Sequence, residues 1–148
     1  MSPDPLPRFD FQANDLTLKL KVTLAADRDT IDQVVQDIMR IVGKMGCAAG
    51  KEAAIELALA EALNNAVVHG ARSDSSKLVE CDVACDETRG MLIVVRDPGE
   101  GFDPAAIPDP SVGENIYSDH GRGIFLINQC MDEVKFHKKG TEIHMIKR

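Results

Sequence analysis

The sequence predicts an α/β (α+β) two-layer sandwich, with a mixed but mainly antiparallel sheet covered on one face by helices. Two segments alternate apolar and polar residues with the period of a half-buried strand. Between them lie two long stretches whose apolar residues recur at helical spacing. The overall order is strand, helix, helix, then mostly strands with one late helix. At 148 residues, 44% apolar and 28% charged, the chain has the size and composition of one globular domain with a real core.

Residues 1–14, opening Met1-Ser-Pro-Asp-Pro-Leu-Pro-Arg8, read as a flexible lead-in, and residues 15–148 as the domain. Leu16, Leu18, Leu20, Val22 and Leu24 alternate with Thr17, Lys19, Lys21 and Thr23, which marks the first strand. Asp27 or Asp29 can cap the helix that follows, where Ile31, Val34, Val35, Ile38, Ile41 and Val42 keep helical spacing. Gly43, Gly46 and Gly50 punctuate the connection to a second helix over about 51–69. Gly70 is placed to end that helix in the left-handed conformation favoured at helix C-termini. A hairpin follows: Val79, Cys81, Val83 and Cys85 point inward, Asp86 to Gly90 turns the chain, and Met91 to Val95 is apolar throughout, as in a central strand. Residues 98–120 are rich in Gly, Pro, Asp and Ser without a period. So long an irregular stretch in a compact domain is usually functional, often a lid. A short helix from Ile124 to Met131 and two strands, about 133–138 and 141–146, complete the chain.

Bulk properties exclude several classes. No apolar run approaches the roughly 20 residues of a membrane span, and the N-terminus has no signal-peptide pattern, so the expected location is the cytoplasm. A net charge of −7 with only two short basic clusters argues against direct nucleic-acid binding. Cys47, Cys81, Cys85 and Cys130 lack metal-ligand spacing and read as small buried side chains.

Three constellations remain. Glu61-Ala-Leu-Asn64-Asn65-Ala-Val-Val-His69-Gly70 places Glu61, Asn65 and His69 on one face of an otherwise apolar helix. Such a stripe needs a structural network, a metal or a ligand to satisfy it. A Glu four residues before an Asn suits a site where the amide oxygen ligates Mg²⁺ and the carboxylate polarises a nucleophile. The second constellation, Asp97-Pro-Gly99-Glu-Gly101, follows the apolar strand. A carboxylate there can accept a hydrogen bond from an exocyclic amine such as that of adenine, and the glycines leave room for a flat ring. An ordinary Asp-Pro-Gly turn is the plainer alternative. The third, Gly121-Arg122-Gly123 before Ile124, is a glycine-flanked helix start of the kind that favours phosphate, with Arg122 as a nearby cation. It lacks the Lys of a Walker loop.

Together, in this order, the three resemble the Bergerat ATP-binding fold of gyrase, the ninety-kilodalton heat-shock chaperone, sensor histidine kinases and mismatch-repair ATPases. Over roughly 15–147 the chain most resembles the bacterial anti-sigma-factor serine/threonine kinases, which carry this histidine-kinase-like domain. Glu61 to Gly70 looks like their N-box, Arg96 to Gly101 like their adenine box, and Gly121 to Ile127 with Met131 to Val134 like their second glycine box. The resemblance implies ATP and Mg²⁺ as cofactors and assigns roles position by position. Glu61 would be the general base toward a protein serine, and Asn65 the Mg²⁺ ligand. Asp97 would read the adenine amine, assisted through a water by Thr141. Gly99 and Gly101 would line the adenine slot, and Gly121, Arg122 and Gly123 would wrap the triphosphate. Asn64 would pack or cap, and His69 would be structural.

The implied partners are a sigma factor and an anti-anti-sigma protein of the STAS type, with the kinase itself a homodimer. The exposed side of strand 16–24 is a surface available for an interface. Where several members carry an Arg shortly before the second glycine box, this chain has Ser118-Asp119-His120, so phosphate clamping is expected to differ. The alternative to a kinase is a non-catalytic ATP-binding module that sequesters a sigma factor or other regulator; retention of Glu61 favours the kinase.

Overall fold

Leu20, Val22 and Leu24 alternate with Lys19, Lys21 and Thr23, and these residues form strand β1 (Leu18–Ala25) as their period requires. The computed structural model describes residues 18–46, 48–86, 89–101 and 119–148. The lead-in expected over 1–14 and the greater part of the lid expected over 98–120 lie outside the described residues.

Helix α1 (Arg28–Met45) is capped by Asp27, whose carboxylate accepts the Asp29 N–H at 2.9 Å. Its buried stripe is Ile31, Val35, Ile38 and Val42. Gly43 lies inside the helix rather than in the connection. Gly46 ends it instead, left-handed at φ 71°, with its N–H donating to the Gly43 carbonyl at 3.2 Å.

Helix α2 (Glu52–Asn64) passes without a break into a π-helical segment, Asn65–Gly70. The Ala71 N–H donates to the Ala66 carbonyl at 2.8 Å, five residues back, as a π-helix requires. Gly70 therefore does not provide the left-handed stop expected of it; the left-handed residues come later, at Arg72 (φ 54°) and Ser73 (φ 56°).

Strands β2 (Leu78–Asp86), β3 (Gly90–Arg96), β4 (Glu133–His137) and β5 (Glu142–Lys147) join β1 in a five-stranded sheet of order β1-β2-β3-β5-β4. All four pairings are antiparallel, so no parallel pair appears among the described residues. Helix α3 (Asp119–Cys130) starts well before the expected Ile124 and carries the glycine segment within its first turns. The helices cover one sheet face, where Val79, Cys81, Val83, Met91, Ile93, Val95 and Met145 join α1 and α2 in the main core. The uniformly apolar β3 is the middle strand and is buried on both faces. Its Leu92 and Val94 form a second cluster with Ala84 and Ile146 on the face away from the helices.

The cysteines divide. Cys81 is buried and free, and burial pushes its thiol pKa up to about 12. Cys130 is free and partly exposed. Cys85 is disulfide-bonded, against the expectation of a plain buried thiol. Sequence spacing does not reveal which cysteine β-carbons approach each other in the fold.

Charges across the outer face fix the end of β3 that leads to Asp97. Arg96 binds Asp82 at 2.6 Å and Glu142 at 3.3 Å, with side-chain exposures of 15%, 15% and 9%. Burial alone would raise the Glu142 pKa, but the His144 hydrogen bond at 2.7 Å and the Arg96 charge hold it below the usual carboxylate range. Arg96→Ala would leave the poorly solvated Asp82 without its cation, while Glu142 would keep His144 and Lys138. It is expected to lower the unfolding free energy by about 2 kcal/mol, under the range for a fully buried pair because the cluster still touches water. Urea denaturation measures this, and a change within about 0.5 kcal/mol, typical of a surface residue, would contradict it.

Candidate functional site

The end of α2, the π-helical segment and the ends of β3 and β5 enclose a cavity of about 200 Å³. Ala62, Ala66, Val95, Phe136 and Ile143 form its apolar wall. Asn65, His69 and Arg72 enter from the helical side, and Asp97, Glu100 and Thr141 from the strand ends. Of the sequence-predicted residues, Asn65, Asp97, Gly101 and Thr141 thus share one cavity.

Asp97 is positioned by backbone on every side. Its N–H donates to the Thr141 carbonyl at 2.9 Å, and its Oδ1 accepts the Gly99 N–H at 2.8 Å. A β-carbon on Gly70 would sit 2.3 Å from Asp97 Cγ, and one on Gly99 would sit 2.3 Å from the Gly70 carbonyl oxygen. Gly70 is therefore a close-approach residue, which explains its presence without a helix-ending role. Burial raises the Asp97 pKa above the usual carboxylate value, with the Gly99 hydrogen bond opposing it.

Gly101 is left-handed at φ 88°, and a β-carbon there would meet the Lys139 carbonyl at 2.0 Å. The β4–β5 turn runs left-handed through Lys138, Lys139 and Gly140, and the Thr141 hydroxyl donates to the Lys138 carbonyl at 2.8 Å. The segment 97–101 and the last hairpin thereby pack together beside the cavity.

The third segment arrives from the far side of Asn65. Gly121, Arg122 and Gly123 do not line the cavity; Arg122 is exposed on α3, whereas Gly121 and Gly123 are buried. A β-carbon on Gly123 would stand 2.9 Å from Glu61 Oε2 and 3.2 Å from both terminal atoms of the Asn65 amide. Gly123 thus allows α3 to lie against the Glu61–Asn65 face, and of these three residues Asn65 also lines the cavity. Asn64 is the last residue of α2 and is half-buried. His69, expected to be structural, is exposed and lines the cavity.

A family model described as the histidine kinase-like ATPase domain matches residues 24–147. The chain belongs to that family. Among curated proteins it is 28% identical over 137 residues to the serine-protein kinase RsbW of Staphylococcus epidermidis, covering 86% of this chain and 85% of the relative. It is also 31% identical over 117 residues to the serine-protein kinase RsbW of Bacillus licheniformis, covering 72% and 71%.

For a histidine kinase-like ATPase, the atom that best tests a magnesium site is Asn65 Oδ1. It is buried and accepts no hydrogen bond from the described residues. A buried acceptor without a donor is unfavourable unless something binds it. Mg²⁺ takes oxygen ligands and keeps several waters, so one amide oxygen together with phosphate oxygens suits it. Among the described residues no group of three or more His, Cys, Asp or Glu side chains could hold a metal ion. The orphaned Asn65 oxygen would fit an ion carried largely by its nucleotide. No helix among the described residues is long and apolar enough to cross a membrane.

Sequence reasoning missed Arg72, which is among the residues lining the cavity. Helical periodicity places it beyond the helix. It stands in the left-handed turn after the π-helical segment.

Proposed function

We propose that this chain is an ATP-binding anti-sigma regulatory factor that acts in the cytoplasm as a Mg²⁺-dependent serine/threonine kinase on a STAS-type anti-anti-sigma partner. The observation that carries the proposal is the double contact of Asn65. Its side chain borders the Asp97 cavity on one side and the Glu61–Gly123 junction on the other. The similarity to two serine-protein kinases supports a hydroxyl acceptor.

Each residue then has a role. Asp97 accepts the adenine amine, Thr141 assists through a water, Gly101 leaves backbone exposed to the ring, and Gly99 lets the Asp97 turn close against Gly70. Asn65 Oδ1 holds Mg²⁺, which when bound neutralises phosphate charge. Gly121, Arg122 and Gly123 bring the start of α3 toward the phosphates, where backbone N–H groups and the helix dipole favour anions. Glu61 takes the proton from the partner's hydroxyl as its oxygen bonds to the γ-phosphorus and the bond to the β-phosphate oxygen breaks. Positioning and electrostatics provide most of the acceleration in such transfers.

Calorimetric titration with ATP, with and without Mg²⁺, tests the binding half. Binding is expected to tighten by at least about tenfold with Mg²⁺, and an absence of ATP binding would overturn the proposal. Incubation with γ-labelled ATP and a cognate anti-anti-sigma protein tests transfer. Label on the partner's serine is the expected result. Tight binding with no labelled partner would favour the sequestering module instead.

A further inference from the structure

We infer that Arg72 lies over the face of the bound purine and closes the base slot from the solvent side; this rests on the ATP-binding reading above. Arg72 lines the cavity although it is an exposed residue. Its backbone is left-handed at φ 54°, and Ser73 follows at φ 56°. Two successive non-glycine residues in that region are uncommon and unfavourable, and persist only where the surroundings enforce them.

The surroundings here do so. The π-helical segment ends with the Ala71 N–H bonded to the Ala66 carbonyl at 2.8 Å, and the Ser73 N–H bonded to the Val67 carbonyl at 2.8 Å. Ala71 is fully buried beneath the turn. Beyond it, Asp74 Oδ1 accepts the Ser76 N–H at 3.0 Å and the Ser76 hydroxyl at 2.6 Å. The Arg72 backbone is therefore held between hydrogen-bonded neighbours at Ala71 and Ser73. Strain held this firmly is characteristic of sites where a side chain is presented to a ligand.

Position selects the part of the ligand. Arg72 is two residues past Gly70, whose α-carbon abuts the Asp97 carboxylate. It therefore stands at the Asp97 end, while Glu61, Asn65 and Gly123 meet at the other. Asp97 would occupy the edge of the base, and Ala66, Val95 and Ile143 would supply an apolar wall. The solvent-side face of the ring remains, and a planar guanidinium stacks well on such a face. Arg72 is thus assigned to base affinity rather than to phosphate binding.

The experiment titrates ATP, ADP and adenosine into wild type, Arg72→Ala and Arg72→Gly. Glycine accepts the left-handed backbone without strain, so the second variant stands if the first fails to fold. A loss of about fivefold, equal for the three ligands, is expected. A loss confined to ATP and ADP, or no loss for any ligand, would overturn the assignment. Failure of wild type itself to bind any of the three would instead overturn the ATP reading.

Discussion

Glu61→Gln is expected to lower phosphoryl transfer to the partner by about three orders of magnitude while leaving ATP affinity within about twofold of wild type. Glutamine keeps the volume of the side chain and its packing against Gly123, where Glu61 Oε2 is 2.9 Å from the place of a β-carbon. It removes the negative charge and with it the capacity to take a proton. Glu61 does not line the cavity occupied in part by Asn65 and Asp97, so the binding contacts remain. Single-turnover kinetics with labelled ATP separates the two quantities. Transfer by Glu61→Gln at the wild-type rate would remove Glu61 as the base. Equal loss of binding and transfer would mean that the substitution had disturbed Asn65, which shares the same contact with Gly123.

Much of this arrangement is legible from side-chain periodicity. β1 and the first half of β2 alternate because one face meets helices and the other does not, whereas the second half of β2 and the whole of β3 are buried on both faces. Asp27 was one of two possible caps, and its carboxylate reaches the Asp29 N–H. The i, i+4 spacing of Glu61 and Asn65 places both against Gly123.

What periodicity cannot convey is backbone register and close approach. Glycine at position 70 fits a helix stop or a tight contact equally well, and only the fold puts the Asp97 carboxylate beside it. The π-helical segment leaves no signature in Asn65-Ala-Val-Val-His69-Gly70, because the side chains suit an α-helix as readily. The low helix propensity of Gly43 and of the glycines of α3 suggests helix boundaries, but it is a weak preference that packing overrides. At Gly123 that packing is against Glu61 and Asn65, whose side-chain ends a β-carbon would displace. Arg72 was invisible for the same reason: its approach to the cavity depends on two positive φ angles that non-glycine residues rarely adopt.

Asp97→Asn is expected to weaken ATP binding by about a hundredfold and, at the same time, to stabilise the nucleotide-free protein at neutral pH. The first effect follows from hydrogen-bond polarity. Asparagine can still accept the Gly99 N–H, made at 2.8 Å in wild type, through its one carbonyl oxygen. Its other terminal atom becomes an NH₂ donor facing the donor amine of adenine, and losing a bond to a charged acceptor costs about 1.5–3 kcal/mol. The second effect follows from burial, which raises the Asp97 pKa and disfavours the ionised form in the folded state. Because the folded pKa lies above the unfolded one, wild type loses stability as pH rises through it, whereas asparagine does not. The melting-temperature advantage of Asp97→Asn should therefore be greatest at neutral pH and shrink as the pH falls through the raised pKa. It should vanish below the ordinary value of 3.8, where Asp97 is protonated in either state. Thermal melts across that window, paired with ATP titration at pH 7, measure both. Unchanged affinity would remove Asp97 from the adenine site, and a lower melting temperature at pH 7 would show that its carboxylate stabilises the fold. Since the two expected effects have opposite signs, a loss of binding in this variant cannot arise from unfolding.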